Sequence, residues 1–169
     1  SNLLLFNSTI FTYTGFLFFI LNIPEANAEN NITKNIESIK PADFEQNIYF
    51  QKTQDDKTPI LNINNAGNDG VSKNYFNDYN VTNDNLIINN SASTVGIQTQ
   101  LGGIIVGNNN MFGSNGREAD IILNEVISNN ITKLEGYTEI AGKRAELIIA
   151  NPNGIYVNGA GFINTSRLN

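Results

Sequence analysis

The sequence predicts an all-β protein of short strands and tight turns, built either as an antiparallel sandwich or barrel or as a parallel β-helix. Three observations lead there. The 169 residues include 31 Asn and 23 Ile, nearly a third of the chain, so a turn former is paired with a strand former. Short apolar bursts recur at 60–63, 86–88, 103–106, 121–123, 147–149, 155–157 and 162–163. Between Ala145 and Thr165 three of these bursts and two turns follow one another, which leaves no room for crossover helices.

The chain opens on residues 1–24 without a single charge, and an apolar run at 15–21 is followed by Pro24 and then by Ala26, Asn27 and Ala28. An apolar segment before a small-x-small site is the pattern of a secretory signal peptide, with Ala26 and Ala28 flanking a cut before Glu29. Asn7, Ser8, Thr9 and Asn22 interrupt the apolar run, which argues against a spanning helix. No basic segment precedes it and the first residue is Ser1, so 1–28 is read as a signal peptide shortened at its N-terminus. Residues 29–58 mix Asn, Lys and Asp with scattered Ile and Phe at no sustained period, and are read as an irregular lead-in. From 59 to 169 the bursts become regular, each ended by an Asn/Gly cluster: 67–70, 89–90, 107–110, 113–116, 151–154 and 158–161. Gly and Asn tolerate positive φ, so they turn the chain where β-branched residues cannot.

Composition removes most familiar chemistry. There is no His, Cys or Trp, which excludes Ser-His-Asp and Cys-His nucleophilic sites, His/Cys zinc sites and disulfides. Ten basic against sixteen acidic residues give a net charge of −6 with no basic run, a surface that repels nucleic acid. No metal or other cofactor is expected. Asp55 with Asp56, and Glu125 with Glu139, are the carboxylates that acid/base work would draw on, but solvated surface charge is their usual role. Asn-x-Ser/Thr sequons at Asn7, Asn31, Asn80, Asn89, Asn130 and Asn164 arise readily in so Asn-rich a chain.

Four segments carry more than composition: 70–81, with Gly70, Val71, Ser72, Asn74 and Val81; 85–91, Asn-Leu-Ile-Ile-Asn-Asn-Ser; 119–142, from Ala119-Asp120 to Ala141-Gly142; and 145–167, in which Asn151, Pro152, Asn153, Gly154 and Ile155 precede Gly161, Phe162, Ile163, Asn164 and Arg167. In this order they resemble the N-terminal secretion domain of two-partner-secretion exoproteins, the group that includes filamentous haemagglutinin, secreted haemolysins and contact-dependent growth-inhibition toxins. The resemblance covers 59–169. It departs at Asn108, Asn109, Asn110 and Met111, where many members have Asn-Pro-Asn-Leu, so the proline is missing and Met111 has to supply the apolar contact of the leucine. A Cys-x-x-Cys pair found in some members before the Gly-Phe-Ile-Asn stretch is absent.

The resemblance implies a right-handed parallel β-helix with an N-terminal cap, cut short at its C-terminus, and an export function. The domain would be recognised in the periplasm by the periplasmic domains of a partner outer-membrane β-barrel transporter. It would pass to the cell surface or medium and seed folding of a larger adhesin, haemolysin or toxin, whose own partner would be a host or neighbouring-cell surface. This fragment would not itself be an enzyme. Asn151 to Ile155 are the candidate recognition or folding motif, and Asn108 to Met111 a second, degenerate copy. Physically, Pro152 fixes φ and Gly154 permits a positive φ, so the motif serves either backbone geometry or partner recognition. Two other functions are weighed beside export: a surface adhesin holding glycans through Tyr75, Phe76 and Tyr79, and a pectin lyase-like β-helix enzyme.

Overall fold

The computed structural model describes residues 32–169, together with a separate antiparallel pairing of β1 (Thr12–Tyr13) with β2 (Phe16–Leu17). Ala26 and Ala28, the expected cleavage residues, lie outside the described residues.

The bursts resolve into three parallel stacks. The first holds β5 (Pro59–Asn62), β7 (Leu86–Asn90), β12 (Tyr137–Gly142) and β15 (Gly161–Ile163). The second holds β6 (Val71–Tyr79), β10 (Ile121–Val126), β13 (Ala145–Ala150) and β16 (Thr165–Leu168). The third is β11 (Thr132–Leu134) on β14 (Ile155–Val157), extended by a parallel bridge from Val81 to Leu134. The chain winds through these stacks in a constant order from coil to coil, which is a parallel β-helix. Of the two architectures open from the sequence, the antiparallel one is excluded, because every pairing between successive coils is parallel.

Antiparallel pairing in this body is confined to the start and to one excursion. β3 (Ile39–Pro41) runs antiparallel to β6, and β4 (Tyr49–Lys52) antiparallel to β5. These strands correct the expectation of an irregular lead-in over 29–58. The outer edges of β5 and β6 would otherwise present unpaired N–H and C=O groups, and the lead-in covers them while burying Ile39, Ile48 and Phe50. The excursion is a hairpin of β8 (Ile97–Thr99) and β9 (Gly103–Ile105) between β7 and a single 3₁₀ turn, η1 (Asn109–Met111).

Alternation decides what is inside. Ile122, Asn124 and Val126 of β10 point into the helix while Ile121, Leu123 and Glu125 point out, and β13 repeats the pattern with Ala145, Leu147 and Ile149. β7 is buried at all five positions, because its inner row, Leu86 and Ile88, meets the core while Ile87 of its outer row lies under the hairpin. The apparent breaker Asn89-Asn90 is therefore the end of a buried strand.

Asparagine takes two places. At the corners its side chain bonds the backbone of a neighbouring coil: Asn80 Oδ1 accepts the Lys133 N–H at 2.9 Å, Asn85 Oδ1 the Tyr137 N–H at 2.8 Å, and Asn164 Nδ2 donates to the Ile140 carbonyl at 2.8 Å. Inside, Asn74 Nδ2 donates to Asn124 Oδ1 at 3.1 Å, and Asn124 Nδ2 donates to the Tyr79 hydroxyl at 3.2 Å. Both asparagines are fully buried, so these bonds remove an otherwise large desolvation cost. Burial pushes the Tyr79 phenol well above its ordinary pKa and keeps it neutral.

Candidate functional site

The motif from Asn151 to Ile155 forms the corner between β13 and β14. Gly154 N–H donates to the Asn151 carbonyl at 3.1 Å, closing a β-turn with Asn first, Pro152 second and Gly fourth, the residue order a type I turn favours. Asn151 Oδ1 accepts the Asn153 N–H at 2.9 Å, an Asx-turn laid over the β-turn. Gly154 has φ +112, a conformation a side chain would strain, and there is open space where its Cβ would stand. The turn is then tied to the preceding coil. Asn151 Nδ2 donates to the Asn130 carbonyl and to Thr132 Oγ1, each at 2.9 Å, and Asn153 Nδ2 donates to the Ser128 carbonyl at 2.7 Å. Pro152, Asn153, Gly154 and Ile155 remain exposed on the outside of that corner.

The second motif repeats this bonding in a buried place. Asn108 Oδ1 accepts the Asn110 N–H at 2.9 Å, and Met111 N–H donates to the Asn108 carbonyl at 2.9 Å. Asn108 Nδ2 reaches the carbonyls of Ile63 at 2.9 Å and Asn89 at 3.0 Å, and Asn110 Nδ2 those of Asn47 at 2.7 Å and Ile63 at 3.0 Å. Asn108 and Met111 are buried, Met111 within the main core. The turn thus joins the cap to both of the first coils. Asn109 stands where proline would, and its N–H, which proline lacks, donates to the Tyr49 hydroxyl of β4 at 2.9 Å. Sequence reasoning found the missing proline but not Tyr49, since nothing in the local pattern links residues so far apart.

The other candidates do not converge. Glu125 faces outward from β10 in the second stack, and Glu139 lies on β12 in the first, under the hairpin. Asp55 sits in an exposed turn, where the Thr53 hydroxyl donating at 2.6 Å holds its carboxyl below the ordinary range. Among the described residues no three His, Cys, Asp or Glu side chains gather as metal ligands. Phe76 and Tyr79, two of the three proposed glycan contacts, are buried against each other at 5.1 Å. Tyr75 stays at the surface beside Phe44 at 5.5 Å, over an open groove of about 620 Å³. The amides of Gln46 and Asn64 there are taken up by the Tyr75 backbone, the Lys73 carbonyl and the Asn47 N–H.

A family model described as the TPS secretion domain matches residues 38–169. The chain belongs to the TPS secretion domain family. The match begins one residue before β3, so it takes in the capping strands as well as the coils. A 16S rRNA endonuclease CdiA of Enterobacter cloacae subsp. cloacae is 50% identical over 120 residues, spanning 69% of this chain and 4% of that protein. A hemolysin of Proteus mirabilis is 43% identical over 110 residues, 65% of this chain and 7% of that protein. The crystal structure of the filamentous hemagglutinin secretion domain superposes with a TM-score of 0.67 at 35% identity, covering 78% of this chain and 41% of that one. This secretion domain therefore spans only a few per cent of the length of the curated relatives it matches, and the expected β-helix agrees with the solved secretion-domain structure.

Proposed function

We propose that this secretion domain is the export module of a large exoprotein, recognised in the periplasm by the periplasmic domains of a partner outer-membrane β-barrel transporter and delivered to the cell surface or medium. Membership of the TPS secretion domain family carries the reading. The fold supplies a physical route. While extended, the strands offer main-chain groups for pairing with an edge of the transporter's own sheets, and side chains at alternate positions set the register. Once outside, the cap seals the starting edges of β5 and β6, so coils stack in one direction only, each burying the face of the one before. Residues 26–28 serve as the signal cleavage site. Asn151 to Ile155 act as the recognition motif and Asn108 to Met111 as a folding clip. The exposure of the first turn and the burial of the second support this division.

The test is secretion of an epitope-tagged form with a complete signal peptide, with and without the partner transporter, beside Asn153→Ala. Transporter-dependent release, lowered in the variant although the purified variant folds, is the expected result. Periplasmic retention of a folded domain in both backgrounds would refute the export reading.

A further inference from the structure

The β8–β9 hairpin is supplied by the second coil but is fastened to the third. Its base closes where the Ser93 carbonyl lies against Gly107, at a spot where any Cβ on residue 107 would collide with it. From there it lies over the outer row of the first stack. Ile105, with Ile97 and Leu101 beside it, packs in one cluster with Ile60 of the first coil, Ile87 of the second and Ala141 of the third. At the tip, Gly102 presses on Thr53 after the cap and on Ile87, leaving no space for a side chain. One hairpin therefore touches the turn that leaves the cap and all of the first three coils.

The polar fastening comes from one residue. Glu139 on β12 is 5% exposed and is the one charged side chain among the buried described residues. Its carboxylate accepts the Gln100 N–H at 2.9 and 3.0 Å and the Leu101 N–H at 2.8 Å. These are the loop amides that a hairpin ordinarily leaves to water. A carboxylate without a cation is costly to bury unless such donors converge on it, so this arrangement is stable only with the hairpin seated. No charge occurs anywhere between Asn85 and Gly116, so the hairpin brings no counter-ion of its own.

We propose that the hairpin is a clasp with Glu139 as its latch. It stays open while only the cap and two coils exist, and closes when β12 takes its place in the first stack. The clasp rests on this geometry alone. Its consequence rests on the export reading: during emergence from the N-terminus, the capped start locks only after residues 139–141 are outside, so the smallest stable seed includes the third coil.

The test is amide hydrogen exchange on the purified full chain, with no transporter present, which separates it from any failure of the export reading. In the wild type the Gln100 and Leu101 amides are expected to exchange as slowly as the central amides of β12. Glu139→Ala should speed exchange across 97–105 by about ten- to a hundredfold, the effect of losing a charge-assisted hydrogen bond, and leave the central amides of β10 and β13 unchanged. Glu139→Gln, which keeps one acceptor oxygen, should give an intermediate change confined to the same segment. The proposal is overturned if hairpin exchange is unaltered in both variants, or if either variant loses protection evenly over all the coils.

Discussion

The replacement of proline by Asn109 can be weighed against the bond it permits. Asn108 is extended at φ −80, ψ 118, the conformation a residue before proline requires, and Asn109 opens the 3₁₀ turn η1, where proline's φ is at home. Asn109→Pro should therefore fit the backbone and stabilise by about 0.4–1 kcal/mol through the unfolded chain. It also removes the donor that Tyr49 accepts at 2.9 Å, a neutral bond contributing about 0.5–1.5 kcal/mol. The two effects nearly cancel, so the single variant should lie close to the wild type in urea unfolding. In a Tyr49→Phe background no bond remains to lose, and Asn109→Pro should stabilise by its entropic share alone. The double-mutant cycle thus predicts a coupling of about 0.5–1.5 kcal/mol between residues 49 and 109. A coupling below about 0.3 kcal/mol, or a Tyr49→Phe background further destabilised by proline, would refute the reasoning.

Three further outcomes follow from the same structure. Asn124→Ala strips buried partners from Asn74 and Tyr79 and should cost about 2–3 kcal/mol in urea unfolding, whereas an exposed Asn153→Ala should cost less than about 1 kcal/mol. Gly154→Ala meets no atom and is destabilised only by φ +112, by about 1–2 kcal/mol, while Gly136→Ala collides with the Thr82 carbonyl and should shift the melting temperature further down. Asp55, Asp69 and Asp120 are held below the ordinary carboxylate range by the Thr53 hydroxyl, the Val71 N–H and Lys143 respectively. A depressed folded-state pKa gives stability that is present above the unfolded value of about 4 and is lost as pH falls through the folded value. The urea midpoint should accordingly stay level from neutral pH to about 5 and decline below about 4, with Asp120→Asn flattening part of the decline.

All seven apolar bursts are strands, because each joins β-branched residues to a breaker and both signals are local. What the sequence concealed depends on distance. The capping strands β3 and β4 lack a continuous apolar run, since a short antiparallel strand on an outer edge needs only Ile39 and Phe50 to face the core. Asn89 and Asn90 look like a turn and are strand, because Asn62 Oδ1 takes the Asn89 amide at 2.9 Å while Asn90 exchanges bonds with both Ala119 backbone groups. Glu139 reads as one surface carboxylate among sixteen acidic residues, since its burial is decided by a hairpin whose bonded amides lie 38 and 39 residues earlier in the chain. The candidate turn at Asn151 was legible to the last residue, for the opposite reason: β-turn chemistry is written in four consecutive positions.

The two Asn turns together make recognition and folding separable in experiment. They share an Asx-turn over a β-turn and the same use of side-chain amides to bond neighbouring backbone, yet Asn108 and Met111 are buried where the cap meets two coils, whereas Pro152 and Asn153 face solvent. A substitution at Asn108 should therefore open the junction of cap and helix and lower stability, and on the proposed division a loss of export there follows the loss of stability. At Asn153 the side-chain amide bonds to the Ser128 carbonyl and Asn151 Oδ1, both at an exposed corner where water can replace it. Export that falls at Asn153 while stability holds must then come from contact made with another molecule. Loss at both sites in proportion to stability would instead make both turns corners of the helix and nothing more.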